Sequence, residues 1–384
     1  MRYAEVPLAL QTGRIVSVDA LRGLNIFCIL GFDGAVWAFD HMLNDKGPPL
    51  SSISGFLKDQ MSHAAWEGFR FYDLIFPLFI FVTGVSIVLA LPRLVEREGK
   101  GRAHLRVIRR AMLLYLLGLL FYGGVGQHWS DIRYAGVLQR IAICYLFASL
   151  LFLNFGKREL GIALVVLLGG YWALMTFVPV PGIGAGSFGP DANLANWIDA
   201  NYLPGRLWDN TRDPEGLLST LPAIGTCVIG VFAGLLLKDD RLTQTQRSLR
   251  LIGGGIALVV TGYLWGLQFP VIKAIWTSSF VLVAAGYSAI LLGVLHQLID
   301  AWGVKAWAVI FVWIGANAIL LYFINGMIGF EPFALRFVGG DMALWFDRVA
   351  ATPGTGLFVA HLLGLSLAVA LAGFLYRRKI FLRV

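Results

Sequence analysis

Titratable side chains gather in residues 63–84, where a long apolar run begins. His63 is followed by Trp66, Glu67 and Asp73, and a neighbouring carboxylate can orient an imidazole and fix its tautomer. An unperturbed imidazole titrates at about pH 6.5, which suits a base that takes a proton from an amine or a hydroxyl group. A lone histidine at such an edge is more often a hydrogen-bonded bystander, but these neighbours favour a catalytic role for His63, with Asp73 as a further catalytic candidate.

Two further charges fall inside apolar runs. Asp33 lies about ten residues into the first run, in L-G-F-D-G-A-V-W, and Arg140 follows Gln139 inside another run. A charged side chain at the centre of a bilayer costs several kcal/mol unless it is paired, neutralised or facing a wet cavity. Asp33 and Arg140 are therefore expected either to form a structural pair or to line a polar cleft.

Charged residues also lie near the predicted ends of the runs. Asp19 and Arg22 could bind a ligand, or form a helix-start salt bridge next to a capping Ser17. Asp213 and Glu215, in R-D-P-E-G-L-L-S-T, could attract a cationic amine or serve as first-turn residues favoured by the helix dipole. Spacing alone leaves both interpretations open.

Other polar positions give weaker signals. Asn317 lies in G-A-N-A-I-L-L-Y, where small and polar side chains are more typical of close helix packing than of a ligand site, although it stays a candidate for substrate binding. Cys28, Cys144 and Cys227 lie in apolar runs without metal-ligand spacing, so we predict packing thiols and no metal site. Walker, dinucleotide, HExxH and G-x-S-x-G motifs are missing from the sequence.

The composition is that of a membrane protein. Hydrophobic residues make up 58% of the 384 residues and charged residues 14%, with a mean hydropathy of +0.72. Apolar runs of about 18–22 residues match the length that a helix needs to cross the hydrocarbon core. We therefore predict an all-α, polytopic helix bundle in a lipid bilayer. The net charge of +8 is spread over short loops, which argues against nucleic acid as a partner.

We predict about ten transmembrane helices within a single transmembrane domain, residues 1–384. Most of the 31 lysines and arginines fall on the side of both termini, so the termini are expected to be cytoplasmic and His63 to face outward. Two long outer segments, 43–69 and 179–218, could form a lid over an outward cavity or stay unstructured. The predicted spans are 23–42, 70–92, 107–124, 135–153, 160–178, 219–237, 251–269, 276–296, 306–326 and 355–376.

Six motifs occur in order along nearly the whole chain, and their combination is more specific than any one of them. Together they resemble the transmembrane N-acetyltransferase family of lysosomal heparan-alpha-glucosaminide N-acetyltransferase and its bacterial homologues. The motifs are S-V-D-A-L-R-G at 17–23, H-A-A-W-E-G-F-R-F-Y-D-L-I-F-P at 63–77, R-Y-A-G-V-L-Q-R at 133–140, D-P-E-G at 213–216, G-A-N-A-I-L-L-Y at 315–322 and Y-R-R-K-I-F at 376–381.

The resemblance implies an enzyme of the bacterial inner membrane that moves acetyl from cytosolic acetyl-CoA to the amine of an amino sugar at the outer face. The active-site histidine of the family falls on His63, and a family asparagine falls on Asp33. As an anion, Asp33 could orient His63 or hold the amine, but it cannot donate a hydrogen bond to an acyl oxygen. The predicted acetyl-CoA ligands are Arg22, Gln139 and Arg140, and the predicted acceptor ligands are Asp213, Glu215 and Asn317.

His63 would act as a general base in direct transfer, or as a nucleophile that carries acetyl. The sequence does not separate these routes. It also leaves three rival functions open: a secondary transporter with a midplane site at Asp33 and Arg140, an O-acetyltransferase for a cell-envelope glycan, and a non-catalytic membrane partner. The small residues Gly230 and Gly234 permit a homodimer, but they serve equally within one bundle.

Overall fold

A computed structural model describes residues 15–209 and 211–382, and these residues form helices joined by turns and isolated β-bridges. The predicted all-α fold is confirmed. The α-helices, in chain order, are α1 Val16–Phe27, α2 Asp33–Leu43, α3 Leu50–Gln60, α4 Ile75–Glu98, α5 Lys100–Phe121, α6 Val137–Asn154, α7 Lys157–Phe177, α8 Leu194–Tyr202, α9 Thr220–Leu237, α10 Gln244–Gly266, α11 Ser278–Leu295, α12 Val309–Ala316, α13 Ala318–Met327, α14 Phe330–Val338, α15 Asp341–Val349 and α16 Thr355–Arg377.

Within these residues, eight helical stretches are long and apolar enough to cross a membrane, and α12 with α13 gives a ninth if the pair, bent by 67°, is one span. The remaining predicted span, 107–124, overlaps α5. Arg106, Arg109 and Arg110 lie in that helix and make it too polar to count with the others. The membrane helix bundle is thus confirmed, while the cytoplasmic position of both termini stays a prediction.

Backbone contacts divide the chain into two compact units. Among the described residues, the first unit contains those from 15 to 38, Asp240–Ile252 and Leu291–Leu382, and the second contains those of Phe39–Asp239 and Gly253–Ile290. His63, Asp73, Gln139, Arg140, Asp213 and Glu215 belong to the second unit, and Arg22, Asp33 and Asn317 to the first. The prediction of a single domain over residues 1–384 stays a prediction.

Close contact between α4 and α9 forms the centre of the second unit. A Cβ atom at Gly84 would lie 2.0 Å from the carbonyl oxygen of Cys227, and one at Gly230 would lie 2.0 Å from that of Phe81. Only glycine allows two helix backbones to approach so closely. Gly230 is therefore used inside the bundle, and a homodimer gains no support from it.

In the first unit, α1 packs against α12. The carboxylate of Asp300 accepts hydrogen bonds from the backbone amides of Val16 and Ser17, both at 3.1 Å. The expected cap by Ser17 is wrong, because α1 begins one residue before it and a distant aspartate satisfies the free amides. Asp19 and Arg22 form the alternative salt bridge, at 3.2 Å.

Segment 179–218 has defined structure in its described residues, 179–209 and 211–218, while its outer position and its role as a lid stay predictions. It contains α8, whose first residue, Leu194, packs with Val180 in a buried cluster around Tyr171 and Phe269. Burial of apolar side chains at both ends of a glycine-rich segment offsets the entropy cost of ordering it. The end of this segment places Asp213 and Glu215 between the start of α6 and the start of α9.

Candidate functional site

His63 and Asp73 meet at the start of the second predicted span. Nδ1 of His63 lies 2.9 Å from Oδ1 of Asp73, and the two side chains are 53% and 1% exposed. Because a carboxylate can only accept, the proton of the neutral ring lies on Nδ1 and the lone pair on Nε2. The arrangement leaves Nε2 to act as a base or as a nucleophile.

A short 3₁₀ turn, Phe71–Leu74, holds the carboxylate in place immediately before α4. The second oxygen of Asp73 accepts hydrogen bonds from the backbone amides of Ala64, at 3.1 Å, and Arg70, at 3.0 Å. The guanidinium of Arg70 donates to the carbonyl oxygen of His63 at 3.3 Å. These bonds tie both ends of the loop 63–73 to one buried carboxylate, and they fix the orientation of the imidazole.

Lys273 completes this group, and the sequence analysis missed it. Its Nζ lies 2.9 Å from Nδ1 and 3.3 Å from Nε2 of His63, and 3.5 Å from Oδ1 of Asp73. Burial lowers the pKa of Lys273, and the charge of Asp73 opposes this effect. A signal was present in the sequence, since a lone lysine in the apolar connection P-V-I-K-A-I-W on the predicted outer side is an exception to the charge distribution.

A second buried group surrounds Arg133. Its guanidinium donates to Asp213, at 3.0 and 3.3 Å, and to Glu215, at 2.6 Å. The rings of Tyr122 and Trp208 each lie 4.5 Å from the guanidinium carbon. Burial alone would lower the pKa of Arg133, but the two carboxylates overcome this effect and raise it. Asp213 and Glu215 are thus bound within the protein, and their contact with an acceptor amine stays a prediction.

Arg140 lies inside the second unit and is 1% exposed. One nitrogen, Nη2, donates to the carbonyl oxygen of Gly216, at 3.1 Å, and to the hydroxyl of Ser219, at 2.5 Å. Its Nε and Nη1 have no acceptor among the described residues, and the neighbouring Gln139 has an unpartnered Oε1. The indole ring of Trp276 lies 5.0 Å from the guanidinium carbon. Two buried donors and one acceptor are therefore unused at this point of the bundle.

Asp199 in α8 is a further titratable residue that the sequence analysis missed. It is buried, and one oxygen accepts a hydrogen bond from the backbone amide of Leu217 at 2.8 Å. Burial raises its pKa to about 7, although that hydrogen bond and the charge of Arg140 act in the opposite direction. An aspartate in the glycine-rich segment 179–218 gave no sequence signal, because nothing local predicted its burial.

Three predicted site residues lie in the first unit. Arg22 donates to Asp19 and reaches the carbonyl oxygen of Gly315 at 3.5 Å. Asp33 is half-buried, follows a π-helical stretch and accepts a hydrogen bond from the amide of Gly34 at 2.9 Å. Asn317 sits at the break between α12 and α13, and its amide group binds the backbone of residues 380 and 382. Their roles toward a ligand stay predictions.

The chemistry of these groups is that of proton transfer and electrostatic stabilisation. His63, Asp73 and Lys273 provide an oriented imidazole beside an ammonium group, which is a set typical of acyl transfer. Among residues 15–209 and 211–382 there is no cluster of His, Cys, Asp and Glu side chains suited to a metal ion. In the described part of the chain all three cysteines are buried and free, as predicted.

Comparisons with known proteins give one consistent result. A family model described as "Heparan-alpha-glucosaminide N-acetyltransferase, catalytic" matches residues 14–264. The Homo sapiens protein named heparan-alpha-glucosaminide N-acetyltransferase is 26% identical over 430 residues, which cover 97% of this chain and 60% of that protein. The Mus musculus protein of the same name is 27% identical over 317 residues, which cover 68% and 48%. The chain spans about half the length of these relatives.

Proposed function

Because the chain belongs to the heparan-alpha-glucosaminide N-acetyltransferase family, we propose that it is a membrane-embedded enzyme that transfers acetyl from acetyl-CoA to the amine of a glucosamine-type sugar. The observation that carries this proposal is the pair of His63 and Asp73, 2.9 Å apart and within the matched residues. An amine must lose a proton as it attacks an acyl group, and an imidazole oriented by a carboxylate can accept that proton.

The pair supports two chemical routes. In direct transfer, the acceptor amine attacks the thioester carbonyl, Nε2 of His63 takes the amine proton, and the departing CoA thiolate takes that proton from the ring. In the two-step route, Nε2 attacks first and CoA leaves as the thiolate, which gives an acetyl-imidazolium. The amine then attacks the acetyl carbon, the bond from carbon to Nε2 breaks, and Nε2 takes the amine proton and passes it to the thiolate. Asp73 stabilises the imidazolium in the first route and fixes the reactive tautomer in both.

Acetyl-CoA would bring its own activated thioester, so the protein has to position it, move a proton and stabilise the developing oxyanion. The unused Nε and Nη1 of Arg140 and the unused Oε1 of Gln139 fit this role, because they are buried polar groups for which the described residues supply no partner. A phosphate or amide group of the donor would satisfy them.

The proposed location is the bacterial inner membrane, with cytoplasmic termini and the acceptor at the outer face. The apolar helices support a multi-pass membrane protein. The basic residues of the tail, Arg377, Arg378 and Lys379, agree with a cytoplasmic end under the positive-inside rule.

The test is acetyl transfer by the purified protein in nanodiscs, with labelled acetyl-CoA and glucosamine. We expect wild type to form N-acetylglucosamine, His63→Ala to lose this activity, and His128→Ala to keep it, because His128 is an exposed histidine of the predicted outer side. An ester product instead of an amide would replace N-acetylation by O-acetylation. A folded wild type that binds no acetyl-CoA would remove the donor from the proposal.

The same preparation separates the two routes and tests the donor site. Labelled acetyl that stays on His63 without acceptor would establish the two-step route, and its absence in single turnovers would favour direct transfer. Arg140→Ala should weaken acetyl-CoA binding, whereas His63→Ala should bind the donor and fail in transfer. Unchanged donor affinity in a folded Arg140→Ala protein would contradict the assignment of Arg140.

A secondary transporter is the second candidate, and one observation favours it. The first span is interrupted before Asp33 by a π-helical stretch, in which Gly31 has a φ of 127°, and α12 and α13 form a bent pair at Asn317. Interrupted helices with polar residues at the break are typical of transporter binding sites. Accumulation of labelled amino sugar in proteoliposomes without acetyl-CoA would support this candidate.

A further inference from the structure

Lys273 reaches the catalytic pair from a distant part of the sequence, 210 residues from His63. Its Nζ lies closer to both ring nitrogens, at 2.9 and 3.3 Å, than to the nearer carboxylate oxygen of Asp73, at 3.5 Å. An ammonium group can only donate, and Nδ1 already donates to Asp73, so Lys273 can donate to the lone pair of Nε2 and to the carboxylate. A simple ion pair with Asp73 does not account for this position.

The backbone that carries Lys273 is joined to the backbone that follows His63. The amide of Gly68 donates to the carbonyl oxygen of Val271 at 2.9 Å, and Glu67 and Ile272 form an isolated antiparallel bridge. Backbone hydrogen bonds therefore join the segment that follows His63 to the segment that precedes Lys273. The distance from Lys273 to His63 is set by backbone contacts and not only by a flexible side chain.

The turn after Lys273 is held in an unusual conformation. Trp276 has a φ of 51°, which L residues with large side chains rarely adopt. The hydroxyl of Thr277 donates to the carbonyl oxygen of Pro270 at 2.8 Å and accepts from the amide of Ile272 at 3.1 Å. Strained residues held by surrounding bonds concentrate at functional sites. Here the strained residue completes the turn that presents Lys273.

We propose that Lys273 is a catalytic residue whose ammonium group binds the acyl oxygen as the acceptor attacks the acetyl carbon. This inference rests on the proposed acetyl transfer. Attack moves the carbonyl electron pair onto oxygen, and an N–H of Lys273 donates to that oxyanion without transferring its proton. The intermediate then collapses, the bond from carbon to sulphur breaks, and the thiolate takes the proton that His63 accepted from the amine.

The position of Nζ, 3.3 Å from Nε2, fits this role. An acyl carbon at Nε2, or an amine in contact with it, places the acyl oxygen within reach of the same ammonium group. Arg70, the cation of the loop 63–73, already donates to the carbonyl oxygen of His63 and belongs to the scaffold. Lys273 is in this way the donor best placed for the developing charge.

The role requires a charged Lys273. The groups that face it are the imidazole of His63 and the carboxylate of Asp73, and Glu215 acts on it through its charge. Burial lowers the pKa of Lys273, so the ammonium group loses its proton at a lower pH than an exposed lysine does. Transfer should accordingly decline on the alkaline side of the profile, below the usual titration range of lysine.

The experiment measures kcat, KM and their pH dependence for wild type, Lys273→Met, Lys273→Arg and the control Lys46→Met, an exposed lysine of segment 43–69. We expect Lys273→Met to lower kcat by about 10²- to 10³-fold, as removal of one oxyanion donor does, with little change in KM. Lys273→Arg should keep more activity and lose the alkaline decline, since arginine stays charged. Lys46→Met should match wild type.

A wild-type kcat in Lys273→Met would overturn the inference while the proposed function stands. Loss of transfer in wild type itself would instead remove the proposed function. If Lys273→Met does not fold, Lys273→Arg tests the inference. An alkaline decline of transfer that is the same in Lys273→Arg and in wild type would mean that deprotonation of Lys273 does not cause the decline. A fall in acetyl-CoA affinity with unchanged kcat would also overturn the inference, since it would assign Lys273 to donor binding.

Discussion

Asp73 holds His63 by its Nδ1, with a buried carboxylate on one side of the contact and a half-exposed imidazole on the other. The 2.9 Å contact fixes the tautomer, and the backbone amides of Ala64 and Arg70 fix the carboxylate. In the proposed reaction, the lone pair on Nε2 of His63 therefore depends on Asp73. This dependence can be measured without changing His63.

Asp73→Asn should lower kcat by about 10²- to 10⁴-fold. An asparagine has nearly the same shape, but its amide N–H can donate to Nδ1 and so stabilise the opposite tautomer, in which Nε2 carries the proton and cannot accept another. The binding of acetyl-CoA should stay as in wild type. Steady-state kinetics with separate variation of donor and acceptor measure both quantities.

The matched control for that change is Asp59→Asn, because Asp59 is exposed and lies 3.9 Å from Arg70 at the same loop. Its kcat should be that of wild type. Equal losses of kcat in Asp59→Asn and Asp73→Asn would mean that the negative charge near the loop matters, and not the tautomer of His63.

Arg133→Ala should destabilise the second unit by about 3–5 kcal/mol, because it leaves the buried carboxylates of Asp213 and Glu215 without their partner. The midpoint of thermal unfolding in detergent measures this loss. Arg106→Ala is the control, since Arg106 forms an equally short ion pair with Glu98 at the surface, and exposed pairs contribute about 0–1 kcal/mol.

A triple variant tests whether the loss is electrostatic. Arg133→Met combined with Asp213→Asn and Glu215→Gln removes all three charges together and should recover part of the lost stability. A triple variant no more stable than Arg133→Ala would instead attribute the loss to packing of the arginine between Tyr122 and Trp208.

The sequence predicted features that depend on local pattern. Apolar runs identified the spans, and the ordered motifs predicted the family, which the match over residues 14–264 confirms. His63 and Asp73 were both candidates because one motif contains them, with only a short loop between them. Their distance is set by that loop and by the 3₁₀ turn Phe71–Leu74.

The residues that the sequence did not predict are brought together by tertiary packing. Lys273 is 210 residues from His63, Asp300 is 284 residues from Val16, and Arg133 is 80 residues from Asp213. Periodicity and capping rules act over a few residues, so they cannot select a partner at such distances. The same reason explains the wrong expectation for Ser17. Serine is a common capping residue, but the free amides at the start of α1 bind the carboxylate of the distant Asp300 instead.

Gly230→Ala should strongly reduce the yield and thermal stability of folded protein. The added methyl group would overlap the backbone carbonyl of Phe81, and neither backbone can move aside within the packed pair α4 and α9. Gly169→Ala in α7 is the control, since a Cβ atom there has no neighbour within 4 Å and alanine favours a helix by about 1 kcal/mol. Its unfolding midpoint should be unchanged or higher, and a similar loss in both variants would contradict the packing argument.

Asp199→Asn should make the folding stability of the protein less sensitive to rising pH. Burial raises the pKa of Asp199 to about 7, above its value in the unfolded chain, so the folded state binds a proton that the unfolded state releases. Stability from this group is present below about pH 4 and is lost as the pH rises to about 7, a change on the order of 2–4 kcal/mol. Asparagine keeps the acceptor for the amide of Leu217 and carries no charge.

The difference in unfolding midpoint between Asp199→Asn and wild type should therefore increase from pH 5 to pH 8. Other titrating groups cancel in this difference, because both proteins contain them. The exposed Asp191, eight residues earlier in segment 179–218, provides the control. Asp191→Asn should give a difference that does not vary with pH. A flat difference for Asp199→Asn as well would mean that the buried carboxylate stays ionised over this range, with Arg140 as the charge that keeps it so.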